Sequence, residues 1–236
     1  MHTQQYHKYT SSEHATWFLL YNRQLDAVRQ YACSSFGQGI RKLGFTAQSI
    51  PDFDSVNNRL YPLTGWKLYA VPGLIENQFF FEQMHEKKFG ATTWIRKPEQ
   101  IDYLEEPDMF HDVFGHVPLL AEPAITNFLF GLAGIASRFI NNEEVIEAIA
   151  RLYWYTIEFG LVKENGRLKI YGAGILSSIA ETKFCFSNKA VLKPFDVEEI
   201  IQTPYIKDSF QQQYFVLRSF DDLKKGVNNL EVLLNK

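Results

Sequence analysis

Apolar positions recur along this chain with two periods. Thr10-Ser11-Ser12-Glu13 has the form of a capping box, and Phe18, Tyr21, Leu25, Val28 and Ala32 follow at spacings of three and four, which predicts a long first helix. Pro51-Asp52 opens a short helix that Gly65 closes. Trp66 to Val71 then alternates like a strand and stops at Pro72-Gly73. Phe79 to Lys88 reads as helix and Ala91 to Ile95 as β-prone. Pro107 suits a first helical turn, where its missing N–H has no intrahelical partner, and Gly115 and Pro118 predict that this helix ends after about two turns.

Pro123 starts a helix running to about Phe139. Asn141-Asn142 cap another, which Val145, Ile149, Leu152, Trp154 and Ile157 carry to Gly160. Asn165-Gly166 signals a two-residue hairpin between Leu161-Val162 and Leu168-Lys169-Ile170-Tyr171. A helix centred on Glu181, another over Asp196 to Gln202, a strand-like Tyr214 to Arg218 and a terminal helix capped by Ser219 complete the pattern. The predicted class is mainly α with a few short strands, a minor α+β. No repeat or Ser/Gly/Pro linker divides the chain, so one compact domain over residues 1–236 is expected, with residues 1–9 as a loosely ordered arm.

Composition narrows the function. The 236 residues are 46% hydrophobic and 22% charged, and an aromatic share of 15% means that rings supply much of the core and line any pocket. Lys and Arg number 24 against 27 Asp and Glu, a net charge of −3 without basic runs, which argues against nucleic acid as a partner. The N-terminus has no signal-peptide pattern, and the most apolar window, Phe128 to Ile140, is broken by Ser137 and Arg138, so no membrane partner is expected. Cys33 and Cys185 read as free thiols of a cytoplasmic protein.

The segment that carries chemistry is Asp108-Met109-Phe110-His111-Asp112-Val113-Phe114-Gly115-His116-Val117-Pro118. Two imidazoles five apart on an ideal α-helix diverge by about 140°, which is poor for sharing a metal. The helix must be distorted or ending, and Gly115 and Pro118 supply an ending that lets His116 swing back toward His111. Glu158 lies in the apolar run Tyr153 to Leu161, where a carboxylate is either at the helix edge or matched to a strong partner such as a buried metal. Two imidazoles and one carboxylate form the facial set of non-haem Fe(II) oxygenases, and the same ligands serve hydrolytic zinc. The segment lacks the His-Glu-x-x-His spacing of zinc proteases, having Asp112 beside the first His.

These residues resemble the pterin-dependent aromatic amino acid hydroxylases, in particular their short bacterial phenylalanine-hydroxylating members. Three motifs carry the resemblance: Phe110 to Leu120, Leu152 to Leu161, and Ile170-Tyr171-Gly172-Ala173-Gly174-Ile175-Leu176-Ser177-Ser178. It extends from about Tyr9 to the end of the chain. It implies a single catalytic domain in which His111, His116 and Glu158 hold Fe(II), with Asp108 as a partner for a ligand His. It implies that Arg96 pairs with the substrate carboxylate, a role its planar fork suits, with Trp154 and Ser177 near the substrate. For a tetrahydropterin, tetrahydrobiopterin or a related bacterial pterin, it points to Gly73, Leu74, Ile75 and Asn77, with Phe80 stacking on the heterocycle and Tyr153 as a further wall. Phe80 lies among Phe79-Phe80-Phe81, and its two neighbours are the alternatives for the stacking ring. Glu106 matches an acid that orients the site, and Asp112 one that contacts the pterin through water.

Asp112 stands where animal members carry Glu and Leu104 where they carry Thr, both like bacterial members. The animal regulatory domain and tetramerisation helix have no counterpart, so a monomer without allosteric activation is expected. The implied activity is hydroxylation of L-phenylalanine to L-tyrosine with O2. The alternatives are hydroxylation of tryptophan or tyrosine, or a metal-stabilised, non-catalytic aromatic-binding module; a zinc hydrolase would need neither O2 nor pterin.

Overall fold

The computed structural model describes residues 2–102, 106–206 and 209–235. The predicted capping box opens α1 (Ser11–Tyr31): Glu13 N donates to the Thr10 hydroxyl, and Thr10 N and its hydroxyl donate to the Glu13 carboxylate. The buried stripe of α1 is turned from the predicted one. Trp17 is fully buried while Phe18 is half exposed. Trp17 fits the interior because its indole N–H finds an acceptor there, Thr46 O, at 2.9 Å.

Helix α2 (Ser34–Leu43) has no start signal, since Cys33 makes no side-chain cap, and its glycines lower its propensity. It is held from outside. Glu164 accepts from Ser34 N, and Gly39 lies so close to Pro118 that a Cβ there would stand 1.9 Å from Pro118 O. Asp52 caps α3 (Phe53–Thr64), which Gly65 closes at φ 75°.

β1 (Lys67–Val71), α4 (Asn77–His85) and β2 (Lys88–Thr92) form a β-α-β unit with parallel pairing from Lys67↔Lys88 to Val71↔Thr92. Here α4 is shifted toward the N-terminus relative to Phe79 to Lys88, because Lys87 adopts a positive φ of 58° and starts the strand earlier than Ala91.

A π-helix over Phe110–His116 passes directly into a 3₁₀ turn over Val117–Ala121. Next come α5 (Pro123–Arg138) and α6 (Glu143–Tyr153), capped by Glu122 and Asn142, and α6 continues as a π-turn over Trp154–Glu158. β3 (Leu161–Glu164) and β4 (Arg167–Ile170) meet at Asn165 and Gly166, both with positive φ, as the mirror-image hairpin turn requires.

The chain then forms α7 (Ala173–Leu176), α8 (Ile179–Cys185), β5 (Val191–Pro194), α9 (Val197–Gln202), β6 (Gln213–Leu217) and α10 (Asp221–Leu234). The larger sheet has the order β4-β3-β6-β5, with only its first pair antiparallel. Phe220, not Ser219, occupies the α10 cap, although the Ser219 hydroxyl still accepts from Asp221 N.

The core wraps the π-helix. Phe110 and Phe114 stack at 4.6 Å, and Trp17, Tyr21 and Phe36 close on Phe114 edge-on. The N-terminal arm is more anchored than expected: Gln4 bonds Pro51 O and Phe53 N, and the Tyr9 hydroxyl donates to Thr93 O at 2.6 Å. Cys33 and Cys185 are free, and burial pushes both thiols up to about 12. No single helix among the described residues is long and apolar enough to cross a membrane.

Candidate active site

The π-helix resolves the histidine spacing. Its i→i+5 bonding places residues five apart nearly above one another, and the Nε2 atoms of His111 and His116 lie 3.3 Å apart. The expected break at Gly115 is therefore corrected: the helix widens rather than ends, and Pro118, which has no N–H to place, enters the 3₁₀ turn that follows. The apolar face of the same helix, Phe110 and Phe114, is locked in the aromatic core, which fixes how the imidazoles point.

The second π-segment supplies the acid. Phe159 N donates to Trp154 O, again five residues back, at 2.9 Å. Glu158 Oε1 then lies 3.1 Å from His116 Nε2, and Oε2 lies 3.4 Å from His111 Nε2. The third motif explains how the chain can come so close. Gly172 lies against the backbone of Glu158, where a Cβ would stand 2.5 Å from Glu158 O, and Gly172 N donates to Gly160 O.

Among the described residues these three donors form a group able to hold a metal ion, all within 4.8 Å of one another. Donors bound at right angles about 2.1 Å from one ion are about 3 Å apart, so the observed separations fit a facial set. Ser177 fixes the tautomer. Its hydroxyl donates to Ala173 O at 2.8 Å and so must accept from His111 Nδ1–H at 3.0 Å, leaving the His111 Nε2 lone pair aimed at Glu158 and His116. Two imidazole nitrogens and a carboxylate converging on one point need a cation or protons between them. Burial raises the Glu158 carboxyl, but His116 and His111 override it and lower it strongly; burial lowers His111, but Glu158 overrides it and raises it.

Asp108 is fully buried and grips Arg96 by Nε at 2.9 Å, Nη2 at 2.8 Å and the backbone N at 2.9 Å. Its link to a ligand His is to the backbone N–H of His111, at 3.2 Å, while the ring's partner is Ser177. Asp112 Oδ2 accepts from both N and Oγ1 of Thr92, at 2.8 Å each, and burial raises its carboxyl above the usual range against the pull of His111.

On the other side of the donors, Phe80 meets Tyr153 edge-on at 5.5 Å, and Tyr153 lies 6.5 Å from the His116 ring. Of the neighbours of Phe80, Phe81 is buried in the core and Phe79 packs edge-on against Tyr69. Burial and the Glu158 carboxylate push the Tyr153 phenol well up. In the preceding loop Leu74 is exposed, Gly73 has open space where a Cβ would be, and Ile75 leads to Asn77, the first residue of α4.

Trp154 stacks on Tyr205 at 4.6 Å and donates Nε1–H to Gln211 Oε1 at 2.9 Å. Glu106 is exposed, and Leu104 lies outside the described residues. The sequence singles out none of Thr92, Tyr205 and Gln211: Thr92 is the last residue of a strand, and Gln211 opens a run of three glutamines, so neither carries a local signal.

The family model of the biopterin-dependent aromatic amino acid hydroxylases matches residues 3–236. A phenylalanine-4-hydroxylase of Ralstonia nicotianae is 43% identical over 220 residues, covering 92% of this chain and 69% of that protein. The Chromobacterium violaceum phenylalanine hydroxylase solved with iron(III) and 7,8-dihydrobiopterin is 41% identical with a TM-score of 0.93, covering 99% of this chain and 86% of that one. The same enzyme solved with iron and phenylalanine is 39% identical with a TM-score of 0.91, covering 100% and 87%. A match over nearly the whole chain, together with the convergent His111, His116 and Glu158, places this protein in the family of biopterin-dependent aromatic amino acid hydroxylases.

Proposed function

We propose that this chain is a phenylalanine 4-monooxygenase, using O2, Fe(II) and a tetrahydropterin to convert L-phenylalanine to L-tyrosine. The carrying observation is the facial convergence of His111, His116 and Glu158, in a fold whose solved relative holds iron and phenylalanine. His111, His116 and Glu158 would hold the iron, which with the reduced pterin supplies the oxidising power that the side chains lack.

The chain's own residues bind, orient and exclude water. Ser177 holds the His111 tautomer that presents Nε2. Arg96, preset by Asp108 through Nε and Nη2, keeps Nη1 for the substrate carboxylate. Trp154 forms the wall for the aromatic ring, and Ser177 borders that space. Phe80 and Tyr153 supply a ring face for the pterin, whose edge the loop Gly73, Leu74, Ile75 and Asn77 would hydrogen-bond, with Asp112 reaching it through water. Glu106, at the exposed approach to Asp108, would orient charged neighbours at the entrance. The protein would work as a cytoplasmic monomer on a small molecule, with neither nucleic acid nor membrane as a partner.

The test is tyrosine formation from phenylalanine by protein loaded with Fe(II) and given tetrahydropterin, beside zinc-loaded and pterin-free samples. Tyrosine only in the complete mixture is expected. Activity that persists with zinc or without pterin overturns the reading.

A further inference from the structure

Behind the proposed substrate wall lies a buried polar chain that none of the roles above uses. Trp154 donates Nε1–H to Gln211 Oε1 at 2.9 Å. The other end of that amide, Nε2, donates to Ile206 O at 2.6 Å, and the backbone N of Gln211 donates to Glu181 Oε1 at 3.3 Å. Glu181 Oε1 also accepts from the Tyr214 hydroxyl at 2.5 Å. Gln211 is 3% exposed and Glu181 is 6% exposed, so these groups have little water to exchange partners with. The amide is locked in one orientation: flipping it would set an NH2 against the indole N–H and a carbonyl against Ile206 O.

We propose that Gln211 is a positioning residue for substrate selection, which through Trp154 Nε1 sets the rotation of the indole in its own plane, how far its edge reaches into the site, and hence the width of aromatic side chain the site accepts. The proposal rests on the reading of Trp154 as the substrate wall. The indole is stacked on Tyr205 at 4.6 Å and tilted against Phe159 at 4.8 Å, so those rings limit its slide but leave rotation in its own plane to be fixed by the Nε1 bond. Gln211 thereby ties the wall to α8 through Glu181 and to β6 through Tyr214, two elements remote in sequence from the π-turn.

Gln211→Met keeps the length of the side chain and removes the acceptor. Trp154 is half-buried against the buried Gln211, so an unpaired indole N–H there is worth about a tenfold change in an equilibrium, the low end for such a loss. The expected result is a roughly tenfold rise in KM for phenylalanine with a smaller change in kcat, a shifted ratio of kcat/KM for tryptophan over phenylalanine, and Co(II) affinity at the three-ligand site unchanged. In a Trp154→Phe background, which has no indole donor, the same substitution is expected to leave KM and the ratio where that background put them. Equal effects of Gln211→Met in both backgrounds, or an unchanged KM and ratio in the single variant, overturn the proposal.

If Gln211→Met does not fold, the unmodified protein still decides. Its Trp154 indole N–H, assigned by the resonance lost in Trp154→Phe, is expected to exchange slowly with deuterium, and rapid exchange refutes the bond. Absence of any tyrosine product from the parent enzyme is the separate failure of the oxygenase reading, and would leave the exchange measurement intact.

Discussion

Replacing Asp108 with Asn tests whether the Arg96 fork is built by the buried acid. Asp108 is fully buried, and Arg96 keeps only 10% of its side-chain surface in water. Removing the charge leaves a guanidinium with little access to solvent and without its counter-ion, a defect worth about 3–5 kcal/mol. Asn turns an NH2 toward Nη2 and toward His111 N, which both lose the acceptor they share, but it retains the acceptor for Arg96 Nε and the Arg96 backbone N, so the low end of that range, about 3 kcal/mol, is expected.

For a domain of this size 1 kcal/mol moves Tm by roughly 2–4 °C, so calorimetry is expected to show a fall of roughly 6–12 °C. Steady-state assays at saturating pterin are expected to show KM for phenylalanine raised at least about tenfold, because the guanidinium no longer sits preset for the carboxylate. A Tm within about 2 °C of the parent together with an unchanged KM would refute the reasoning, since it would mean that Arg96 is oriented by something other than Asp108.

Ser177→Ala deletes the acceptor that holds the His111 tautomer, and Co(II) or Fe(II) affinity measured by chelator competition is expected to fall about 10–100-fold; unchanged affinity would show that the bond does not orient the ligand. The buried Glu181 carboxyl is raised above its ordinary value of 4.5 by burial, against the bonds from Tyr214 and Gln211. A raised acid adds stability that is complete below its unfolded value and is lost as pH rises through the folded one. The stability of the parent relative to Glu181→Gln is therefore expected to decline as pH climbs from about 4 toward neutrality. Parallel melting curves across that range would contradict the assignment.

Much of this molecule is written locally. The Thr10 capping box, the Asp52 and Gly65 bounds of α3 and the Asn165-Gly166 hairpin are short-range devices whose signal and effect lie within a few residues, and each is observed where the sequence puts it. The three donor residues were legible too, because two histidines and an acid stand in otherwise apolar stretches. Their geometry was not. The sequence suggested a helix that ends at Gly115, whereas the structure keeps it going as a π-helix, because the aromatic core on Phe110 and Phe114 stabilises a wider turn that local propensity does not favour.

The same division holds elsewhere. Helix α2 has weak local preference and exists because Gly39 lets it lie against Pro118, and Phe18 yields the interior to Trp17 because Thr46 O offers the indole a partner. Asp108, Ser177, Thr92 and Gln211 find their hydrogen-bond partners in groups brought in from distant parts of the chain. Sequence alone determines what a residue can donate, accept or bury. Which partner it meets is decided by packing, because the burial that stabilises one arrangement also closes off the others.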